Sequence, residues 1–160
     1  MAQASHQHAQ LLLQLYDLRR EKVLRRARDF VQRDLKFKDF KDYRKRYPEG
    51  SKEARFVGMV LGYWDLACTL VVKGLIDEDL FNSTNFEHVS VWFKVKPLAD
   101  AWRKQYKYPE MMTALESVAS SHAAAAMFGE QPKAKPVKQA EAKKPKPPEP
   151  DEDDEDEDDD

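Results

Sequence analysis

Residues 56–72, FVGMVLGYWDLACTLVV, form an apolar run of seventeen residues in which Asp65 is the only charged side chain. As a helix the run would rise about 25 Å, which is short of a hydrocarbon core of about 30 Å. An acid near the centre of a span costs about 2.5–3.5 kcal/mol. We therefore expect no membrane span, and instead a central helix that the rest of the fold buries.

This helix has two different faces when its residues are placed at the helical period. Large apolar side chains share one face: Val57, Leu61, Trp64, Cys68 and Val71. Small and polar residues share another: Gly58, Gly62, Asp65 and Thr69. Glycines at this spacing predict close approach of another backbone, and a carboxylate in such a contact needs a partner to stay ionised. We therefore predict that Asp65 is buried or half-buried in a structural ion pair with an arginine of the first helix. The candidates are Arg25, Arg26 and Arg28.

Helical spacing also marks the segments that precede this run. Apolar residues recur at three and four positions over residues 7–34, with no Gly or Pro, and predict one long amphipathic helix. Residues 35–50 alternate aromatic with charged side chains and end in Pro48 and Gly50, so we expect a short helical turn and then a loop. Ser51 is placed to cap the central helix at its N-terminus.

The segments that follow the run are helical in pattern as well. Acids at residues 77–79 suit the positive end of a short helix. Residues 86–105 keep a helical period around Pro97, which predicts a kinked helix or two abutting helices. Pro109 suits the first position of a last helix that ends near Gly129.

No segment shows the sustained alternation of a strand, and no repeat of solenoid length is present. The pattern therefore predicts an all-α fold, a single small helical bundle of four to six helices over residues 1–128. Beyond it, residues 129–150 are rich in Lys and Pro, and residues 151–160 are ten consecutive acids. We expect both to be disordered, the first as a linker and the second as an acidic tail, because consecutive carboxylates repel one another and cannot be buried.

Charge is separated along the chain, which the formal net charge of -2 conceals. Residues 1–128 carry 21 Lys/Arg and 16 Asp/Glu, a net of +5, whereas the linker carries +3 and the tail -10. Residues 19–55 hold 15 Lys/Arg against 7 Asp/Glu, with aromatic residues between them. Candidate polyanion-binding residues in this cluster are Lys36, Lys38, Lys41, Arg44, Lys45 and Arg46. Phosphate binding with base stacking would use such residues, whereas the ordinary interpretation is a solvated face above aromatic core residues.

Few residues in the chain suit catalysis. Cys68 is the single cysteine and lies on the large apolar face, which predicts a buried structural thiol, excludes an intrachain disulfide and fits a reducing cytoplasm. A nucleophile pair would have to join it to His88 or His122, and burial disfavours the thiolate that such a pair needs. His6 and His8 have no further partner at ligand spacing. We therefore expect no catalytic, cofactor-binding or metal-binding residues, and no cofactor.

Three segments together resemble a known family. They are LLLQLYDLRREKVLRRARDFV (residues 11–31), VLGYWDLACTLVVKGLIDEDLF (residues 60–81) and VWFKVKPLADAWRKQYKYPEMMTALESVA (residues 91–119). In this order and spacing they are similar to a bacterial family catalogued as domain of unknown function 4760. Asp65 stands where that family is expected to have Glu, which shortens the side chain available for an ion pair. The resemblance implies a small helical bacterial module without an assigned activity.

These features favour a non-enzymatic helical interaction module that binds a protein partner, or a second copy of itself, in the cytoplasm. In this interpretation the acidic tail tunes solubility or access to the basic face. The first alternative is a nucleic-acid or polyanion binder that its own tail inhibits, since ten tethered carboxylates compete for a basic face. The second alternative is an enzyme whose residues follow no known motif.

Overall fold

A computed structural model describes residues 5–128, and this part of the chain is all-α. Its seven α-helices exceed by one the upper limit predicted from the sequence, and no strand lies among the described residues. The helices are α1 (His6–Arg19), α2 (Lys22–Asp29), α3 (Phe40–Arg46), α4 (Lys52–Val72), α5 (Glu78–Thr84), α6 (Glu87–Gln105) and α7 (Thr113–Phe128). The predicted linker and acidic tail, residues 129–150 and 151–160, lie outside the described residues.

The apolar run forms α4, the central helix, which packs against α2, α5 and α7. Ser51 Oγ accepts a hydrogen bond from the Ala54 N–H (3.1 Å), so Ser51 caps the helix as predicted. Just beyond the C-terminal end of α4, Gly74 adopts φ +69°, in the left-handed region that favours glycine. Seven side chains of α4 are buried: Val57, Val60, Leu61, Trp64, Ala67, Cys68 and Val71.

Among the described residues, α4 is the one helix whose length and composition would suit a membrane span, with a mean hydropathy of 1.4 over its most apolar window. In the bundle, 33% of that window is buried. The central helix of a compact bundle needs the same length and the same apolar composition, so these two properties fit both environments.

The single long helix predicted for residues 7–34 is wrong, because the chain turns between α1 and α2. The Glu21 carboxylate accepts hydrogen bonds from the N–H groups of Val23 and Leu24, both at 2.8 Å. These bonds lower the pKa of Glu21 and cap α2 at its first turn. A glutamate that caps a helix is hard to distinguish, by sequence alone, from one on an exposed helix face.

A π-helical turn, Phe30–Asp34, continues α2 and widens the end of the helix. The Lys94 Nζ atom of α6 donates hydrogen bonds to the carbonyls of Val31 (2.7 Å) and Gln32 (2.8 Å) in this turn. A cation at the C-terminal end of a helix also interacts favourably with the helix dipole. Lys94 therefore joins α6 to the end of α2, and its burial there lowers its pKa.

The helix α6 runs unbroken through Pro97, which excludes the alternative of two abutting helices. The last helix begins later than predicted, because Pro109 lies in a turn and α7 starts at Thr113. Met112, the residue before α7, has φ +61° and a buried side chain. A methionine has no oxygen with which to cap a helix, so the N–H groups in the first turn of α7 need another partner.

Candidate functional site

A cleft of about 420 Å³ opens along α4, between α3 and the segment of residues 106–112 that joins α6 to α7. The floor of the cleft includes Gly58, Gly62 and Asp65, which belong to the small polar face of α4. Five aromatic residues line the cleft: Tyr43, Tyr47, Trp102, Tyr106 and Tyr108. Its other charged lining residues are Arg44, Glu49 and Arg55. A concave, mainly apolar site of this size with a few polar groups is typical of ligand binding.

Gly58 and Gly62 face open space instead of another backbone. A Cβ atom built on either glycine meets no atom within 4 Å outside its own helix turn, so the close approach predicted at these positions is wrong. Neither residue has a positive φ that would require glycine. A glycine inside a helix costs roughly 0.5–1 kcal/mol relative to alanine. The two glycines therefore weaken α4 locally, and what they provide is an unobstructed floor.

Aromatic side chains form the walls of the cleft. Tyr43 and Trp102 are buried and pack edge to face, with ring centroids 5.3 Å apart. Tyr106 and Tyr108 are about half exposed, at 47% and 54%. The buried rings fix the wall, and the exposed rings offer apolar area with a hydroxyl group at its edge. Burial raises the pKa of the Tyr43 hydroxyl to about 12, so this group stays neutral at physiological pH.

Asp65 lies at one end of the floor and is half-buried. Its Oδ1 atom accepts a hydrogen bond from the Leu115 N–H in the first turn of α7 (3.1 Å). The carboxylate therefore caps α7 from a neighbouring helix and faces the positive end of its dipole, a role that Met112 cannot fill. The Oδ2 atom of Asp65 has no hydrogen-bond partner among the described residues.

The predicted ion pair between Asp65 and an arginine of the first helical segment is not formed. Arg28 binds Glu87 of α6 instead, with Nε 2.8 Å from Oε1 and a second contact from Nη2 to Oε2. This hydrogen-bonded pair raises the pKa of Arg28. Arg25 and Arg26 are exposed, and within residues 5–128 neither forms an ion pair. Within residues 5–128, a backbone N–H at the start of α7 takes the place of the predicted arginine as the partner of Asp65.

The other end of the cleft, near the N-terminus of α4, is basic. Arg44 forms an ion pair with Glu49 (Nη1–Oε2 3.3 Å), and Arg55 Nη1 donates a hydrogen bond to the Gly50 carbonyl (3.1 Å). Arg55 precedes Asp65 by ten positions on α4, which corresponds to a rise of about 15 Å. The cleft therefore has a basic end and an acidic end, separated by the length of roughly five extended residues.

The candidate polyanion-binding residues lie in and before α3. Four lysines are exposed: Lys36, Lys38, Lys41 and Lys45. Arg46 forms an ion pair with Asp42 (Nε–Oδ2 2.9 Å), and of the six candidates only Arg44 lines the cleft. The aromatic residues between them are buried or half-buried: Phe37, Phe40, Tyr43 and Tyr47. These rings pack inward, for example Phe40 against Trp102, so they are not presented on the basic surface for base stacking.

Two histidines meet between α6 and α7. His88 is fully buried, and its Nε2 atom lies 3.3 Å from Nδ1 of His122. Burial, together with the neighbouring His122, lowers the pKa of His88 to about 4. Cys68 is buried, which raises the pKa of its thiol, and no hydrogen bond joins it to either histidine in the described structure. The histidines are 34 residues apart, so only the docking of α7 onto α6 reveals their contact.

A second, smaller cavity of about 280 Å³ lies between α1, α4 and α5. Most of its polar groups are already used within the protein, the Tyr16 hydroxyl being the exception among the described residues. The Tyr63 hydroxyl donates to the Leu15 carbonyl (2.7 Å), and Asn85 Oδ1 accepts from Arg19 Nη1 (3.1 Å). The larger cleft, where a carboxylate oxygen and two tyrosine rings remain accessible, is therefore the better candidate for ligand binding.

The fold and the cleft together define a small all-α domain with an open aromatic site along its central helix. The chain belongs to the family described as Domain of unknown function (DUF4760), whose model matches residues 4–121. This confirms the family resemblance of the three quoted segments, and the match includes every residue that lines the cleft. No curated protein and no solved structure matches the chain.

Proposed function

We propose that this protein is a non-enzymatic helical interaction module that binds a short extended segment of a partner protein in the cleft along α4. The aromatic walls supply apolar contact area, and the charges at the two ends orient the segment. The proposal includes a cytoplasmic location without a membrane span, in which α4 acts as the core helix. It also includes a tail, residues 151–160, that tunes solubility or access.

The open glycine floor is the observation that carries this proposal. Alanine at Gly58 or Gly62 would meet no neighbour and would favour the helix, so packing does not explain the glycines. Larger side chains at these positions would project into the cleft. A floor that stays open at a cost in helix stability is the arrangement expected where another chain must approach the helix closely.

The dimensions of the cleft favour a peptide segment as its ligand. About 15 Å separate the charged positions along α4, which is the span of roughly five residues in an extended chain. The half-exposed Tyr106 and Tyr108 carry hydroxyl groups that can donate hydrogen bonds to the backbone of such a segment and accept them from it.

Selection from a library of displayed random peptides tests this function directly. We expect the full chain to enrich peptides that bind the wild type, and that Gly62→Phe, which places a ring on the floor, weakens their binding by at least about tenfold, or 1.4 kcal/mol. The matched control is Leu66→Phe, because Leu66 is on the same helix, is 51% exposed and does not line the cleft. The proposal would be refuted if the library yields no binding peptide, or if the selected peptides bind Gly62→Phe and Leu66→Phe as tightly as the wild type.

Polyanion binding is a second candidate, favoured by the four exposed lysines Lys36, Lys38, Lys41 and Lys45, none of which forms an ion pair in the described residues. Phosphate binding of this kind weakens by orders of magnitude between about 50 and 200 mM salt. Fluorescence anisotropy with a labelled oligonucleotide separates the two functions. A binder of this second kind would be weakened by Lys38→Glu with Lys41→Glu and would be unaffected by Gly62→Phe.

A further inference from the structure

We infer that the cleft takes a proline-rich segment with a basic start and an acidic end, and that residues 143–150 of this same chain, KKPKPPEP, are such a segment. The inference rests on the proposed function, because it names the chemistry of the ligand and identifies a competitor carried by the chain itself. In this arrangement the segment binds the cleft of its own chain.

Aromatic walls are the first reason for this choice. Proline-rich segments dock in grooves lined by aromatic side chains, and they arrive in an extended conformation that leaves little entropy to lose. Four of the eight residues 143–150 are proline. Such a segment rises about 3.1 Å per residue, so about five residues cover the roughly 15 Å between Arg55 and Asp65. The exposed rings of Tyr106 and Tyr108 are the surfaces on which prolines would pack.

The order of charges is the second reason. The segment begins with two lysines and has a third between its prolines, whereas Glu149 and the ten acids of residues 151–160 follow. With its basic start at Asp65, a lysine reaches the Oδ2 atom that has no partner in the described residues. The acids then lie toward Arg55 and the exposed lysines of α3. The opposite orientation would place like charges together at both ends.

The length of the chain permits this contact. The first turn of α7 touches the cleft through the hydrogen bond between Leu115 and Asp65, and the sixteen residues of α7 rise about 24 Å. Residues 129–142 can span at most roughly 46 Å. That reach exceeds the sum of about 24 Å for α7 and about 15 Å for the cleft, whichever way α7 is directed.

A nitroxide label in the full chain tests the inference by paramagnetic broadening. Ala142→Cys places the label just before the segment, and Cys68 does not compete for it, because its thiol is buried and its pKa is raised. We expect the amide signals of Gly58 and Gly62 to fall to less than half of their intensity with the reduced label. Amides of α1, which does not line the cleft but is joined to α4 through Tyr63, should lose a smaller share of their intensity.

Two variants control the test. Replacing Pro145, Pro147 and Pro148 with serine keeps every charge and should restore the glycine signals. Replacing Pro132 and Pro136, which lie outside the segment, should leave the broadening in place. Glycine signals that the label does not affect, or that respond equally to both sets of substitutions, would overturn the inference. If the broadening disappears when unlabelled protein is added, the segment of one molecule binds the cleft of another, and the contact in cis is overturned.

The labelling experiment can refute the contact in cis without refuting the proposed function, and the peptide selection can refute the proposed function without refuting the contact in cis. Suppose that the label leaves the glycine signals unbroadened, while selected peptides bind the wild type and not Gly62→Phe. This combination would refute binding of residues 143–150 in cis and leave the proposed function standing. Broadened glycines in the wild type, with no peptide selected by the variant in which Pro145, Pro147 and Pro148 are serine and the cleft is vacated, would refute partner binding and leave the intramolecular contact.

Discussion

At the scale of single residues, the Asp65 carboxylate stabilises α7 through its hydrogen bond to the Leu115 N–H. We predict that Asp65→Ala lowers the free energy of unfolding by about 1–2 kcal/mol, the usual value of a helix cap. Asp65→Asn should cost less, because an amide oxygen still accepts the bond and only the interaction of the charge with the dipole, about 0.3–1 kcal/mol, is lost. Urea unfolding of the two variants measures both effects.

The control for this prediction is Asp29→Ala, since Asp29 is exposed and its side chain makes no capping hydrogen bond. Its free energy of unfolding should change little. A loss of about 3–5 kcal/mol in Asp65→Asn would indicate a broken buried ion pair and contradict the capping role. Equal stability of Asp65→Ala and the wild type would contradict both roles.

His88 makes the stability of the fold depend on pH. Its pKa is about 4 in the folded protein against an ordinary 6.5, because burial and then His122 disfavour the charged ring. The unfolded chain therefore binds more protons between these values, so the stabilisation is complete above pH 6.5 and is lost as the pH falls toward 4. The loss between pH 7 and pH 5 should be about 2 kcal/mol.

The matched variant for this effect is His88→Gln, which cannot be protonated. Urea unfolding at pH 7 and pH 5 should show a smaller loss of stability in the variant than in the wild type. The other groups that face the pair, His122 and Glu78, are present in both proteins, so the difference between the two pH dependences reports His88 together with its contact to His122. An identical pH dependence in the two proteins would show that His88 is not a buried neutral ring.

Residue identities alone indicated the position of Asp65 but not its partner. Its place on the small face of an apolar helix follows from spacing, which is a local property. The partner is a backbone N–H fifty positions away, and it is available only because Met112 adopts φ +61° and starts α7 there. No local rule predicts a left-handed methionine, so the sequence favoured the more familiar arginine.

At the scale of helices, alanine substitution should have opposite effects on stability at Gly62, inside α4, and at Gly74, just after its C-terminal end. Gly62→Ala should raise the free energy of unfolding by about 0.5–1 kcal/mol, because the added methyl group meets no atom and the helix gains propensity. Gly74→Ala should lower it by about 1 kcal/mol or more, because its φ is +69°. Thermal unfolding of the pair measures opposite shifts in Tm. A lower Tm in Gly62→Ala would indicate that another helix does pack closely against Gly62, as the sequence predicted.

Helix boundaries were predictable where a side chain caps its own helix. Ser51 at α4 and Asp77 at α5 are examples, since each accepts a hydrogen bond from an N–H three positions later. The start of α2 was not predictable, because Glu21 resembles a residue on a helix surface. The start of α7 was not predictable either, because Pro109 resembles a proline in the first turn of a helix. In both cases the competing signal was typical of a helix, and the tertiary arrangement selected a turn.

At the scale of the whole molecule, the helical spacing of the successive segments and the apolar run of residues 56–72 together predicted an all-α bundle around one central helix. The cleft was not predictable, since its floor, walls and charged ends come from α3, α4 and the segment before α7. Gly58 and Gly62 were recognised as a small face, and two opposite structures satisfy that pattern: a tightly packed helix and an open site. The absence of any atom near their added Cβ positions shows that this face of α4 is open and not packed against another helix.

The central claim is that the cleft along α4 binds an extended segment of a protein. Isothermal titration of the strongest selected peptide into the full chain tests it most directly, with the wild type, Gly62→Phe and Leu66→Phe compared at about 50 and 200 mM salt. We predict at least about a tenfold rise in Kd for Gly62→Phe, no change for Leu66→Phe, and a salt dependence far below that of a polyanion contact. An unchanged Kd in Gly62→Phe would contradict the claim.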